Sequence, residues 1–376
     1  MTRRERLIAT LKGRPVDRPA VSFYEIGGRE MEPDEDEFTV WNDASWRPLV
    51  KMALEETDII RMVSPGWIAE DETASLTKTE TWREGASLFT RTTIKAPGRV
   101  LSSLTRRDKD VQTTWVLEHL LKDKDDVIAY LKLPVTPCGT PDFKGVLKEE
   151  QLLGESGIIS IETADPICKA AELFSMADYT VFAFTERKLF HQILKRFAEL
   201  LFARCKIIAE TLPGRLWRIC GSEYASEPYM PPYLYDEYVV RYTGEMVRII
   251  QKYGGYARIH SHGRLKNILP LLKKMRIDGL DPCEPPPQGD ITLAEIKKTI
   301  GKETVLMGNI EVTDIENLPT DEFEKKVITA LREGTEGEGR GFILMPTACP
   351  YGRKISSRTI ANYDKMIELA VNFRMD

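Results

Sequence analysis

The stretch Tyr256-Ala257-Arg258-Ile259-His260-Ser261-His262-Gly263 decides how this chain is read. It has the form of a short strand, apolar where it begins, with two of the four histidines two residues apart at its carboxyl end. Successive strand side chains point to opposite faces, so this spacing sends both imidazoles to the same side. A metal site needs that arrangement.

Working outward from it, strands and helices alternate. Segments 19–25, 58–63, 157–162 and 215–220 read as strands ahead of it, and 277–281, 304–309 and 341–345 behind it. Helical periods fill most of the gaps. Leu7, Ile8 and Leu11 share one side of residues 3–12, and Val239, Tyr242, Met246, Ile249 and Tyr253 repeat at helix spacing within 232–253. Thr292-Leu293-Ala294-Glu295 has the form of a capping box. Eight strands joined by helical crossovers predict an α/β fold, a closed (β/α)8 TIM barrel forming one domain over 1–376. Thr-rich alternation at 75–82 and 88–94 predicts a β-hairpin, inserted over 70–110 between the second and third strands.

Bulk composition sets limits. The 376 residues are 42% hydrophobic and 30% charged, enough for a large core. A net charge of −5 argues against a nucleic-acid or anionic-membrane surface, which needs a basic face. No apolar run reaches the roughly 18 residues of a membrane span, and the opening Met1-Thr2-Arg3-Arg4-Glu5-Arg6 leads into an amphipathic helix rather than a signal peptide. A soluble, cytoplasmic protein is expected. Six scattered cysteines suit reduced thiols better than a disulfide framework.

In a barrel of this kind the working groups gather at the carboxyl ends of the strands. Those ends carry Tyr24 and Glu25, then Glu162, Glu223, the two histidines, Asp281 and Cys283, Asn309, and Cys349. Imidazole and thiolate are donors that Zn²⁺ prefers, and three protein donors leave a position open for substrate. The expected metal ligands are therefore His260, His262 and Cys349, with 86 residues between the last two. Glu223, Cys283 and substrate remain alternatives for the fourth position. Tyr24, Glu25, Glu162 and Asn309 are expected to contact substrate, although capping or mouth hydrogen bonding explains Glu162 and Asn309 equally well. His119 and His191 are assigned to helix surfaces.

At these residues the chain resembles the uroporphyrinogen decarboxylase superfamily. The resemblance lies in His260-Ser261-His262-Gly263, Asp278-Gly279-Leu280, Gly289-Asp290-Ile291, Leu306-Met307-Gly308-Asn309-Ile310 and the segment from Gly341 to Pro350. It implies a (β/α)8 barrel and one of two activities. Decarboxylases of the superfamily carry an arginine-rich motif after the first strand, whereas here that place reads Tyr24-Glu25-Ile26-Gly27-Gly28-Arg29. The other branch, zinc-dependent methyltransferases that work with corrinoid proteins, has a His-x-Cys motif followed much later by Cys. His260 matches its histidine, Cys349 its distal cysteine, and His262 stands where the first cysteine would be.

Replacing sulfur by imidazole leaves zinc a harder Lewis acid, suited to an oxygen. The resemblance thus implies demethylation of a methoxylated compound, with the methyl group passing to the cobalt of a corrinoid (cobalamin) on a partner protein, and Glu223 or Tyr224 supplying a proton. A methylcobamide:thiol methyltransferase of the coenzyme M type and a cofactor-free decarboxylase are the alternatives. A homodimer is left open.

Overall fold

The computed structural model describes residues 1–27, 36–70 and 72–374. Its centre is an eight-stranded parallel sheet: β1 (Ala20–Val21), β2 (Ile59–Val63), β3 (Gly157–Ala164), β4 (Leu216–Cys220), β5 (Tyr256–His260), β6 (Gly279–Asp281), β7 (Val305–Ile310) and β8 (Phe342–Pro346). The strand order is β1-β8-β7-β6-β5-β4-β3-β2, which curls the sheet into the predicted TIM-barrel architecture with helices around it. The seam between β1 and β2 carries no ladder and is joined through Asp58. The Asp58 N–H donates to the Val21 carbonyl at 2.7 Å, and the Val21 N–H donates to Asp58 Oδ2 at 2.9 Å. Arg6 and Arg18 neutralise that buried carboxylate.

The barrel interior is layered. At its amino end, helix Arg3–Leu11 inserts Leu7 and Leu11 against Ile60, Ile158, Leu216, Val305 and Ile343. Thr2 and Glu5 form a capping box that starts this helix where it meets the barrel floor. Above this apolar plug the strand register places Glu162, Arg218, Arg258 and Gly279 side by side across β3 to β6. Both arginines are buried. Gly279 makes room for one of them: a Cβ there would stand 3.3 Å from Arg258 Cβ and Cγ and from Met307 Cε.

The insertion between β2 and β3 is larger than a hairpin. Four antiparallel strands, Thr77–Glu84, Ser87–Ala96, Arg99–Asp108 and Thr114–Glu118, pair in sequence order. Sequence reasoning stopped short because Arg106-Arg107-Asp108-Lys109-Asp110 reads as a polar loop, whereas 106–108 continue the third strand. The sheet buttresses the loop after β8. Gln112 N–H donates to the Tyr351 carbonyl at 2.8 Å and Arg353 N–H to the Asp110 carbonyl at 2.9 Å. Arg353 also reaches the Lys109 and Glu37 carbonyls.

Candidate functional site

The two histidines and the carboxylates that hold them stand at the carboxyl ends of β5 and β6 and in the loops just beyond. β5 ends on His260, and the loop beyond it carries His262, with the two rings perpendicular and their centroids 4.5 Å apart. The spacing of two thus puts both imidazoles in one place. β6 ends on Asp281, whose Oδ2 is hydrogen-bonded to His260 Nδ1 at 2.8 Å and whose Oδ1 is ion-paired with Arg258 Nε at 3.0 Å. His262 Nδ1 meets Glu284 Oε1 at 2.6 Å, and Glu284 Oε2 also accepts the Gly263 N–H. Each histidine therefore has one nitrogen fixed on a carboxylate, the orientation typical of metal-ligating imidazoles.

The two rings differ in charge. Burial pulls His260 down to about 4 against the opposing pull of Asp281, so it is neutral near pH 7. Burial also opposes charge on His262, but the hydrogen bond and charge of Glu284 hold it above its ordinary value. Asp281 is buried, yet Arg258 and His260 hold its carboxyl well below the usual range.

The rest of the mouth is carboxylate-rich. β1 ends in a turn where Glu25 adopts φ 59°, a left-handed conformation rare for a residue with a side chain. Its carboxylate accepts from the Cys349 thiol at 3.5 Å and lies 4.0 Å from Arg218. Arg218 also bonds Glu162 and the Tyr24 hydroxyl. Tyr24 stacks on His260, its hydroxyl 3.5 Å from Nε2. Glu223 is half-buried with its Oε2 enclosed and accepting no hydrogen bond, and burial pushes its carboxyl up while backbone hydrogen bonds and His262 pull it down. Glu311 takes a hydrogen bond from Thr347 on Oε2, leaves buried Oε1 without one, and is pushed up to about 7 by burial and by Glu284.

Other predicted residues fall elsewhere. Tyr224 follows Glu223 in a short turn, Ser222–Ala225, but its ring packs edge-on against Tyr179 on the side of Cys168 and Cys220, away from the histidines. Cys283 is fully buried with its thiol on the Leu280 carbonyl. Asn309 is buried within β7. His191 lies on helix Arg187–Thr211 against Glu237 and Tyr242, but His119 follows the last insertion strand and not a helix. Arg29 lies outside the described residues. Sequence reasoning placed Asp281 at a strand end without giving it a role, and missed Arg218, Arg258, Glu284 and Glu311. For Arg258 the signal was present: it is a lone charge amid apolar residues in a strand, two places before His260.

A family model described as uroporphyrinogen decarboxylase (URO-D) matches residues 151–354, more than half of the chain. The chain belongs to the uroporphyrinogen decarboxylase family. No curated protein matches it in sequence. Over 98% of its length it is similar to 98% of a methyltransferase from Methanosarcina mazei, at 16% identity and a TM-score of 0.60, a likeness that shows the fold. A D-psicose 3-epimerase from Clostridium cellulolyticum H10 aligns with 58% of this chain and 76% of its own at 10% identity, and its TM-score of 0.33 carries no argument.

The donor set of this family member suits a divalent metal in its chemistry and surroundings: two imidazoles held by carboxylates and a thiol at one barrel mouth. Among the described residues no three histidine, cysteine or acidic side chains converge closely enough to hold an ion. Among them, too, no helix is long and apolar enough to cross a membrane.

Proposed function

We propose that this chain is a zinc-dependent methyltransferase that moves a methyl group from a methoxylated compound to the cobalt of a corrinoid carried by a partner protein. The observation that carries the reading is the His260–His262 pair, each ring held through Nδ1 by its own carboxylate at the mouth of the barrel. The fold likeness to a methyltransferase supports the reaction class. His260, His262 and Cys349 would hold the zinc. When bound, zinc supplies Lewis acidity toward an ether oxygen.

The chain's own residues do the rest. Asp281 and Glu284 orient the two imidazoles and keep a carboxylate behind each. Arg218 fixes the Tyr24 hydroxyl beside His260, which makes it a donor toward a substrate oxygen there. Glu223, whose pKa burial raises above its ordinary value, is the group placed to exchange a proton with the departing oxygen. The corrinoid protein covers the mouth, and the insertion sheet with its exposed Trp115, Val116 and Leu117 is the element it docks against.

Metal analysis and a methyl-transfer assay test this. Purified protein is expected to carry about one zinc per chain and to transfer methyl from a methoxyaromatic compound to free cob(I)alamin. His260→Ala and Cys349→Ala are expected to lose both. Zinc-free protein whose activity survives both substitutions overturns the reading. Transfer from methylcobalamin to thiols, without demethylation, reassigns it to the thiol branch.

A further inference from the structure

A cavity opens at the end of the barrel opposite the histidines. Its volume is about 590 Å³, and it lies between the loop that follows the floor helix Arg3–Leu11 and the glycine-rich run Gly334-Thr335-Glu336-Gly337-Glu338-Gly339-Arg340-Gly341 that leads into β8. Small-molecule sites have this size.

The walls are cationic. Arg14, Lys297, Arg340 and Arg374 line the cavity against a single acid, Asp17. That acid is already taken, by the Arg6 guanidinium at 2.7 and 2.9 Å and by the amino terminus at 3.1 Å. Arg340 is partly spent too, since its Nε donates to the Leu11 carbonyl at 2.8 Å and its Nη1 to Asp278 Oδ1 at 2.9 Å. Among the described residues, Arg14, Lys297 and Arg374 form no ion pair. Lys297 is half-buried, and its ammonium donates only to the Gly334 carbonyl, at 2.6 Å. Burial without a counter-charge lowers its pKa.

The glycine run keeps that ammonium within reach of a ligand. A Cβ on Gly339 would stand 3.2 Å from Lys297 Cε and 3.3 Å from its Nζ, and one on Gly337 would meet nothing within 4 Å. The N–H groups of Gly337, Glu338 and Gly339 donate to no other group among the described residues. The acids of the run, Glu336 and Glu338, line the adjoining groove together with Lys298 and Lys302. Uncancelled cations beside open backbone N–H groups are the features that hold an oxyanion. Three such cations exceed what one carboxylate balances, and a group with several negative charges matches them.

We propose that this cavity is a second ligand site, for a small molecule carrying a pyrophosphate-type group. It does not depend on the methyl-transfer reading, because the parallel strands run from this end toward the mouth and none of its residues reaches the histidines. The phosphate oxygens take the place of the missing partners of Lys297, Arg14 and Arg374.

Calorimetry on the purified full chain, in metal-free buffer at low salt, tests it with inorganic pyrophosphate, citrate and acetate as probes. Pyrophosphate is expected to bind at least about tenfold more tightly than acetate, with the difference shrinking at high salt. Lys297→Met, which keeps an unbranched apolar stem, is expected to weaken pyrophosphate binding about tenfold. Arg374→Ala, at an exposed position near the end of the chain, should weaken it about threefold without touching the packing. His260→Ala, at the far end of the barrel, is expected to leave it unchanged. No binding at millimolar pyrophosphate overturns the proposal, and so does binding that both cavity variants leave intact. Binding lost in His260→Ala places the anion at the mouth and overturns it as well. Citrate binding as tightly as pyrophosphate overturns the phosphate assignment.

Discussion

A glycine at the centre of β6 shows how single residues set up the site. Arg258 packs tightly against residue 279, where a glycine leaves it room, and Arg258 in turn helps keep Asp281 ionised behind His260. Gly279→Ala pushes a methyl group into Arg258 and Met307, a small-to-large change in a filled interior that is expected to cost about 1–3 kcal/mol. The urea midpoint of the variant should fall accordingly, and an unchanged midpoint would mean that the arginine is not packed there. The same residues mark the limit of sequence reading. His260 and His262 were legible because a spacing of two has one meaning on a strand. Glu284 and Glu311 were not, since their roles depend on loops after β6 and β7 folding back over the mouth, and nothing in their local sequence encodes that return.

At the scale of elements, the helices that follow the strands set the rim. Pro166–Ala171 begins on Asp165, whose carboxylate accepts from the Cys168 N–H at 2.8 Å and from the Thr243 hydroxyl at 2.9 Å. Full burial pushes this carboxyl up to about 7, with Glu223 adding to the rise, from an ordinary value of 3.8. The folded chain therefore binds the proton more tightly than the unfolded chain. Asp165 contributes stability below about pH 4 that is lost as pH rises toward about 7. Asp165→Asn keeps an acceptor for the helix cap and removes the titration. The difference in unfolding free energy between variant and parent should grow in the variant's favour between pH 4 and pH 7, then level off. A flat difference across that range would show that Asp165 is ionised throughout. The insertion illustrates the converse problem of legibility. Its first two strands alternate visibly, but the end of the third carries charges that pair outside the sheet, such as Arg107 with Asp36, and so reads as loop.

For the whole molecule, the eight strands were readable because alternating strand and helix periods persist along most of the chain, and the family resemblance rests on the same segments. How the barrel closes was not readable. β1 ladders with β8 and not with β2, so the ring is completed at Asp58, through one backbone and one side-chain hydrogen bond to Val21. Asp58 is fully buried, bonded to backbone on one side of the seam and to Arg6 and Arg18 on the other, which ties the floor helix Arg3–Leu11 to both edge strands. Its substitution removes the backbone acceptor and leaves buried Arg6 short of a counterion, a loss of about 3–5 kcal/mol for a broken buried pair. Asp58→Ala is expected to lower the free energy of unfolding in urea by that amount and to speed hydrogen exchange at Val21 and Asp58-flanking amides before exchange rises in β4 and β5. If the seam amides of the variant exchange no faster than those of β5, then closure does not depend on Asp58 and the strand ladders alone hold the ring. The distinction reaches the site, because the turn bearing Tyr24 and Glu25 leaves β1 directly after this seam. Loosening it should weaken the hold of Arg218 on Tyr24 without touching either histidine.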